Sequence, residues 1–133
     1  MEGELTRQEW LMRNVVDASV TVIKTLGYGF LESVYQRALA RELRLRGVKC
    51  DLERPIDVAY KGEIVGAYRA DILVENEIIV ETKVSDDISL AHEIQVVNYL
   101  KATGLDCGVI INFGTYPLGV KRKFKDKPAK LKR

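Results

Sequence analysis

The stretch "CGVIINF", residues 107–113, is apolar from end to end apart from Asn112. A half-exposed strand alternates apolar and polar side chains, so a continuous run of this kind marks a strand buried on both faces. The segment before it, roughly Ile88 to Ala102, has helical spacing and stops at Gly104. A strand reached through a helix lies naturally parallel to its neighbour. The chain is therefore expected to adopt an α/β fold, a mixed central sheet flanked by helices.

Upstream, the same reading supplies the other elements. Thr6 and Glu9 have the spacing of a capping box, and Val15, Ala18, Val22 and Leu26 recur at helical intervals until Gly27 ends the pattern. A second helix, about Leu31 to Arg46, carries Val34, Tyr35, Ala38, Leu39 and Leu45 and meets Gly47 as its C-terminal cap. From Val48 the period changes to two. "CDLERPIDVAY", "IVGAYRADILV" and "IIVETK", separated by the turns "KGE" and "ENE", predict three consecutive antiparallel strands. With no repeat, linker or second domain evident, residues 1–120 are expected to form one domain and 121–133 a basic tail.

At 133 residues the chain can bury a core without disulfides or a structural metal. Cys50 and Cys107 are the only cysteines and lack CxxC spacing, which excludes a zinc or iron–sulfur site built on cysteines. No apolar run approaches the roughly 18 residues of a membrane span, and "MEGELTRQEW" does not read as a signal peptide. A cytoplasmic protein with no membrane partner is expected. Eight of the 21 Lys/Arg but one of the 19 Asp/Glu fall in residues 121–133, leaving 13 against 18 in the body. A basic tail can attract phosphate backbones, although solvated basic ends are common.

The hairpin "YRADILVENEIIVETK", residues 68–83, carries charges where a buried hairpin should carry none. If "ENE" is a three-residue loop, Val74 pairs with Ile78, which puts Asp71 opposite Glu81, with Lys83 two residues further along the same face. Two adjacent carboxylates repel, and Lys83 offsets one charge only. Two carboxylates plus water are the hard oxygen ligands that Mg2+ or Mn2+ prefers, and such an ion can polarise a phosphodiester. The competing reading is an edge-strand salt bridge between Lys83 and Asp71 or Glu81, with the turn one residue out of register.

"ADILVENEIIVETK" resembles the D-x(n)-E-x-K core of the PD-(D/E)XK nuclease superfamily, with Asp71, Glu81 and Lys83 at the motif positions. "GFLESVY", residues 29–35, matches the G-x-x-E-x-x-Y signature of the GxxExxY proteins, and "QVVNY" matches the Q-x-x-x-Y element of RecB-like nucleases. The resemblance covers roughly residues 10–115. It implies a catalytic set of Glu32, Asp71, Glu81, Lys83 and Gln95, with Asp71, Glu81 and Glu32 toward the metal. Glu32 also has a simpler reading, a carboxylate favoured by the N-terminal end of its helix. Many relatives carry His where this chain has Ile23 and Pro where it has Tyr28, so nothing tied to those positions carries over.

Gln95 and Tyr99, four apart on the third helix, share a stripe with Ile88 and His92, separate from a packing stripe of Ile94, Val97 and Leu100. Tyr35, His92 and Tyr99 are candidate substrate-side residues. The resulting expectation is a Mg2+- or Mn2+-dependent nuclease acting on nucleic acid, DNA favoured, with a homodimer as an option. The alternatives are an inactive nuclease-fold module that binds nucleic acid or a partner protein, and a phosphohydrolase acting on free nucleotides, which lacks a P-loop.

Overall fold

A computed structural model describes residues 5–125. Helix α1 (Arg7–Leu26) starts at the expected capping box, Thr6 and Glu9 bonding each other's backbone amides. Helix α2 (Glu32–Leu45) ends in a Schellman motif: Gly47, at φ 79°, donates to the Arg44 carbonyl and Val48 to that of Leu43. Strands β1 (Cys50–Tyr60), β2 (Glu63–Val74) and β3 (Ile78–Lys83) form the predicted antiparallel meander. Helix α3 (Leu90–Thr103) then leads to β4 (Cys107–Asn112), which lies parallel to β3 in full register.

The chain does not stop being sheet at residue 120. Strand β5 (Gly119–Phe124) pairs antiparallel with β4, so the first residues assigned to the basic tail are sheet; residues 126–133 lie outside the described residues. "VKRKF" shows little apolar–polar alternation because most of this edge strand is exposed, Val120, Lys121, Arg122 and Phe124 among it, and its basic residues hid it. Lys123 reaches back to Glu93 on α3 at 2.9 Å.

The five strands run in sequence order across one sheet with a core on each face. On one face α1 and α2 pack over Ile72, Val74, Ile78, Val80, Val109 and Ile111. On the other, α3 packs over Ile79, Ile110, Leu73 and Ala70. The central strands β3 and β4 are covered on both sides, which is why their sequences do not alternate. Gly108 permits the close approach of α3: a Cβ there would stand 2.9 Å from the Ile79 carbonyl and 3.0 Å from Val96 Cγ1.

The packed stripe of α3 differs from the one expected. Val96, Tyr99 and Leu100 are buried, whereas Ile94 is 51% exposed. The helix lies on the sheet by the face that meets Gly108, which turns Tyr99 inward and Ile94 out. No helix among the described residues is long and apolar enough to cross a membrane.

Candidate metal centre

The hairpin turn is the three-residue loop that the sequence predicts. Glu75 and Asn76 take positive φ (52° and 57°), Val74 pairs with Ile78, and the ladder continues to Ile72 opposite Val80. Beyond that pair the backbone ladder stops at Asp71. Ile72 and Ala70, which an unbroken strand would put on one face, lie in opposite cores, and Glu53 on the neighbouring strand has φ 53°. The hairpin therefore turns at Asp71, and its backbone groups need other partners.

Side chains supply them reciprocally. The Asp71 amide donates to Glu81 Oε2 at 2.8 Å, and the Thr82 amide donates to Asp71 Oδ2 at 2.8 Å, joined by the Thr82 hydroxyl at 3.1 Å. The Asp71 carbonyl accepts from Gln36 Nε2 at 2.9 Å, a bond that ties β2 to α2. Each carboxylate thus has one oxygen held by backbone. Among the described residues no hydrogen bond engages the other oxygen of either, and no sealed side-chain oxygen lacks a partner, so neither of those two oxygens is sealed from solvent.

Burial and repulsion press on the cluster. Glu81 is 3% exposed, and its pKa is pushed up to about 8, by burial first and then by the Asp71 charge. Burial also raises Asp71, against the pull of Thr82 and Lys83. Glu32, in the first turn of α2, is raised by burial and by Asp71, while Lys83, the Val84 amide and His92 act against the rise. The structure therefore brings Glu32, Asp71, Glu81 and Lys83 together from α2, β2 and β3. Three carboxylates share the field of one ammonium. The salt-bridge alternative fails on two counts: among the described residues Lys83 makes no ion pair, and β3 lies inside the sheet in the expected register.

Among the described residues no three His, Cys, Asp or Glu side chains stand close enough to enclose a metal by themselves. The donor set still fits Mg2+ or Mn2+. Magnesium keeps several waters and is held by one or two carboxylates, and here a buried carboxylate, Glu81, and a half-buried one, Asp71, each keep one oxygen without a hydrogen bond among the described residues.

The remaining candidates separate. Tyr99 lies near enough to the carboxylates that its hydroxyl is pushed up to about 12, by burial first and then by Glu81 and Asp71, with the Gln95 side chain acting against the rise. Gln95 and Tyr99 therefore border the site. His92 is spent on structure: its Nδ1 accepts from the Ser89 amide in the capping box of α3. Tyr35 corrects a substrate-side expectation. It is fully buried, stacks on Phe113 at 4.7 Å, and its hydroxyl donates to the Gly27 carbonyl and accepts from the Phe30 amide. It holds the loop that leads to Glu32 from behind.

Sequence reading missed three supports. Gln36 stands four residues after Glu32, a helical spacing that offered a weak signal. Thr82 sits between the two motif residues, at the position that the D-x(n)-E-x-K pattern leaves open. Asn112 is fully buried; its Oδ1 accepts from the Ser85 and Gly114 amides and its Nδ2 donates to the Ser85 carbonyl, fixing the loop after Lys83.

A family model described as the PD-(D/E)XK nuclease superfamily matches residues 9–123. A search of curated proteins finds no match. Among solved structures, the crystal structure of SSO0001 superposes with a TM-score of 0.56 at 16% identity, over 93% of this chain. The match spans 62% of that protein's length, and at this identity the likeness concerns the fold alone.

Proposed function

Since the chain belongs to the PD-(D/E)XK nuclease superfamily, we propose that it is a Mg2+- or Mn2+-dependent nuclease that hydrolyses phosphodiesters of nucleic acid, DNA before RNA, and that "GFLESVY" places it among the GxxExxY proteins. The reading rests on one observation above the rest, the bonding that ties Asp71 and Glu81 to each other's strand and leaves one oxygen of each without a hydrogen bond among the described residues.

In this reading Asp71 and Glu81 would hold the ion, with Glu32 as a third carboxylate in their field. When bound, the ion would supply Lewis-acid stabilisation of the phosphoryl oxygens and a more acidic water at neutral pH. Lys83 lies in the carboxylates' field without being locked in an ion pair, so its ammonium is available to orient the attacking water and to meet negative charge as it develops on the phosphoryl group. Thr82 and Gln36 hold Asp71 at the strand break, which fixes the carboxylate before substrate arrives. Gln95, beside Tyr99 at the border of the site, positions substrate or water.

The test is a screen of single- and double-stranded DNA and RNA with Mn2+, wild type against Lys83→Ala. Cleavage by the wild type that falls by about 10²-fold or more in the variant, with metal affinity unchanged, is the expected result. Equal activity in both proteins would assign the cleavage to a contaminant and contradict the reading.

A further inference from the structure

Beside the carboxylates lies a groove of about 870 Å3 between α3 and the far half of the β1–β2 hairpin. Gln95 and Tyr99 line its wall, and Tyr99 lies near enough to Glu81 and Asp71 to feel their charge, so the groove adjoins the candidate centre. Tyr68 lines it with its side chain half in solvent (49% exposed), its ring tilted 44° to that of Tyr99 at 5.6 Å. Gly66 makes room for that ring. A Cβ there would come within 3.2 Å of Tyr68 Cε2.

The charges in the groove say what it can hold. Its lining has one carboxylate, Asp57, and one ammonium, Lys101, and these offset each other. A duplex is held by cations that track its phosphates, and a wall without net positive charge offers it little. An uncharged aromatic base is a different ligand. It stacks on a ring whatever its identity, and the Asn98 amide, uncommitted among the described residues, can meet a base edge. A paired base in a helix keeps its faces covered by its neighbours, so it cannot lie on a protein ring until it is unstacked.

We infer that this groove is the subsite for an unpaired nucleobase flanking the scissile phosphate, stacked on Tyr68, and that the substrate class is single-stranded nucleic acid or a single-stranded extension of a duplex. The inference deepens the nuclease reading and rests on it for the position of the phosphate.

The experiment measures fluorescence anisotropy of a labelled oligothymidylate and of a blunt duplex of equal length, at one salt concentration, in Ca2+ in place of Mn2+, with metal binding of the same proteins titrated separately. The single strand is expected to bind at least about 10-fold more tightly than the duplex. Tyr68→Ala should weaken it roughly 5- to 150-fold, the range of one lost stacking contact, Tyr68→Phe should retain the wild-type affinity, and Asn98→Asp, at an exposed position, should weaken it without touching Tyr68. Equal or tighter duplex binding, no single-strand binding, or no effect of Tyr68→Ala would overturn the inference. A dimer in sedimentation that Tyr68→Ala dissociates would also overturn it, by giving the groove to a second copy of the chain. The two readings fail separately: Mn2+ binding without Tyr68 dependence removes the groove, and Tyr68-dependent binding without Mn2+ affinity removes the metal.

Discussion

Glu81 carries the clearest pH signature among the described residues. Its folded pKa of about 8 stands above the ordinary carboxylate value of 4.5, so between those limits the folded state holds a proton that the unfolded chain has released. Metal-free protein should therefore lose stability as pH rises from about 4.5 to about 8, by up to a few kcal/mol, with Asp71 and Glu32 acting in the same direction. Glu81→Gln keeps an acceptor for the Asp71 amide and removes the charge. Thermal melts in EDTA across that range should show a falling Tm for the wild type and a flatter line for the variant; parallel lines would contradict the account. Gln36 offers a second test. Gln36→Met keeps the volume and loses the bond to the Asp71 carbonyl, so Mn2+ affinity should fall about 10-fold, as expected for a residue that orients a ligand from behind. An unchanged affinity with a lowered Tm would make Gln36 structural only. Asp71, Glu81 and Lys83 were legible in the sequence because "ENE" sets the hairpin register and two-residue periodicity does the rest. Gln36 was not, because its value depends on a strand break that periodicity does not encode.

At the scale of elements, the break in β2 and the close seat of α3 decide where the site lies. The ladder between β2 and β3 ends where the carboxylates begin, so the site occupies the point at which two paired strands diverge. The seat of α3 depends on Gly108. Gly108→Ala would drive a methyl against the Ile79 carbonyl and Val96, at a cost of about 1–3 kcal/mol, which denaturant unfolding should register as a lower midpoint with an unchanged slope. The order and type of α1 through β4 could be read from caps, glycine stops and the change of period. The facing of α3 could not, since Ile94, Val97 and Leu100 make as good a stripe on paper as Val96, Tyr99 and Leu100, and the choice falls to a contact with β4. Strand β5 escaped because an edge strand with one covered face and several basic residues has the composition of a tail.

Over the whole molecule, an acidic cluster sits on a body in which 13 Lys/Arg and 18 Asp/Glu of the first 120 residues are nearly balanced by Lys121, Arg122 and Lys123 on β5 and Lys125 after it. The cluster itself, not the body, repels a polyanion until something neutralises it. Glu32, Asp71 and Glu81 converge from three elements, their pKa values all raised, with Lys83 as the cation among them. In the proposed reading a divalent ion would resolve the imbalance and supply the charge that a phosphodiester needs. The measurement that bears most directly on this is a Mn2+ titration of the wild type and of Glu81→Ala, following bound metal. The account predicts binding by the wild type that is lost in the variant; equal binding by both, or none by either with nucleic acid present, would contradict it.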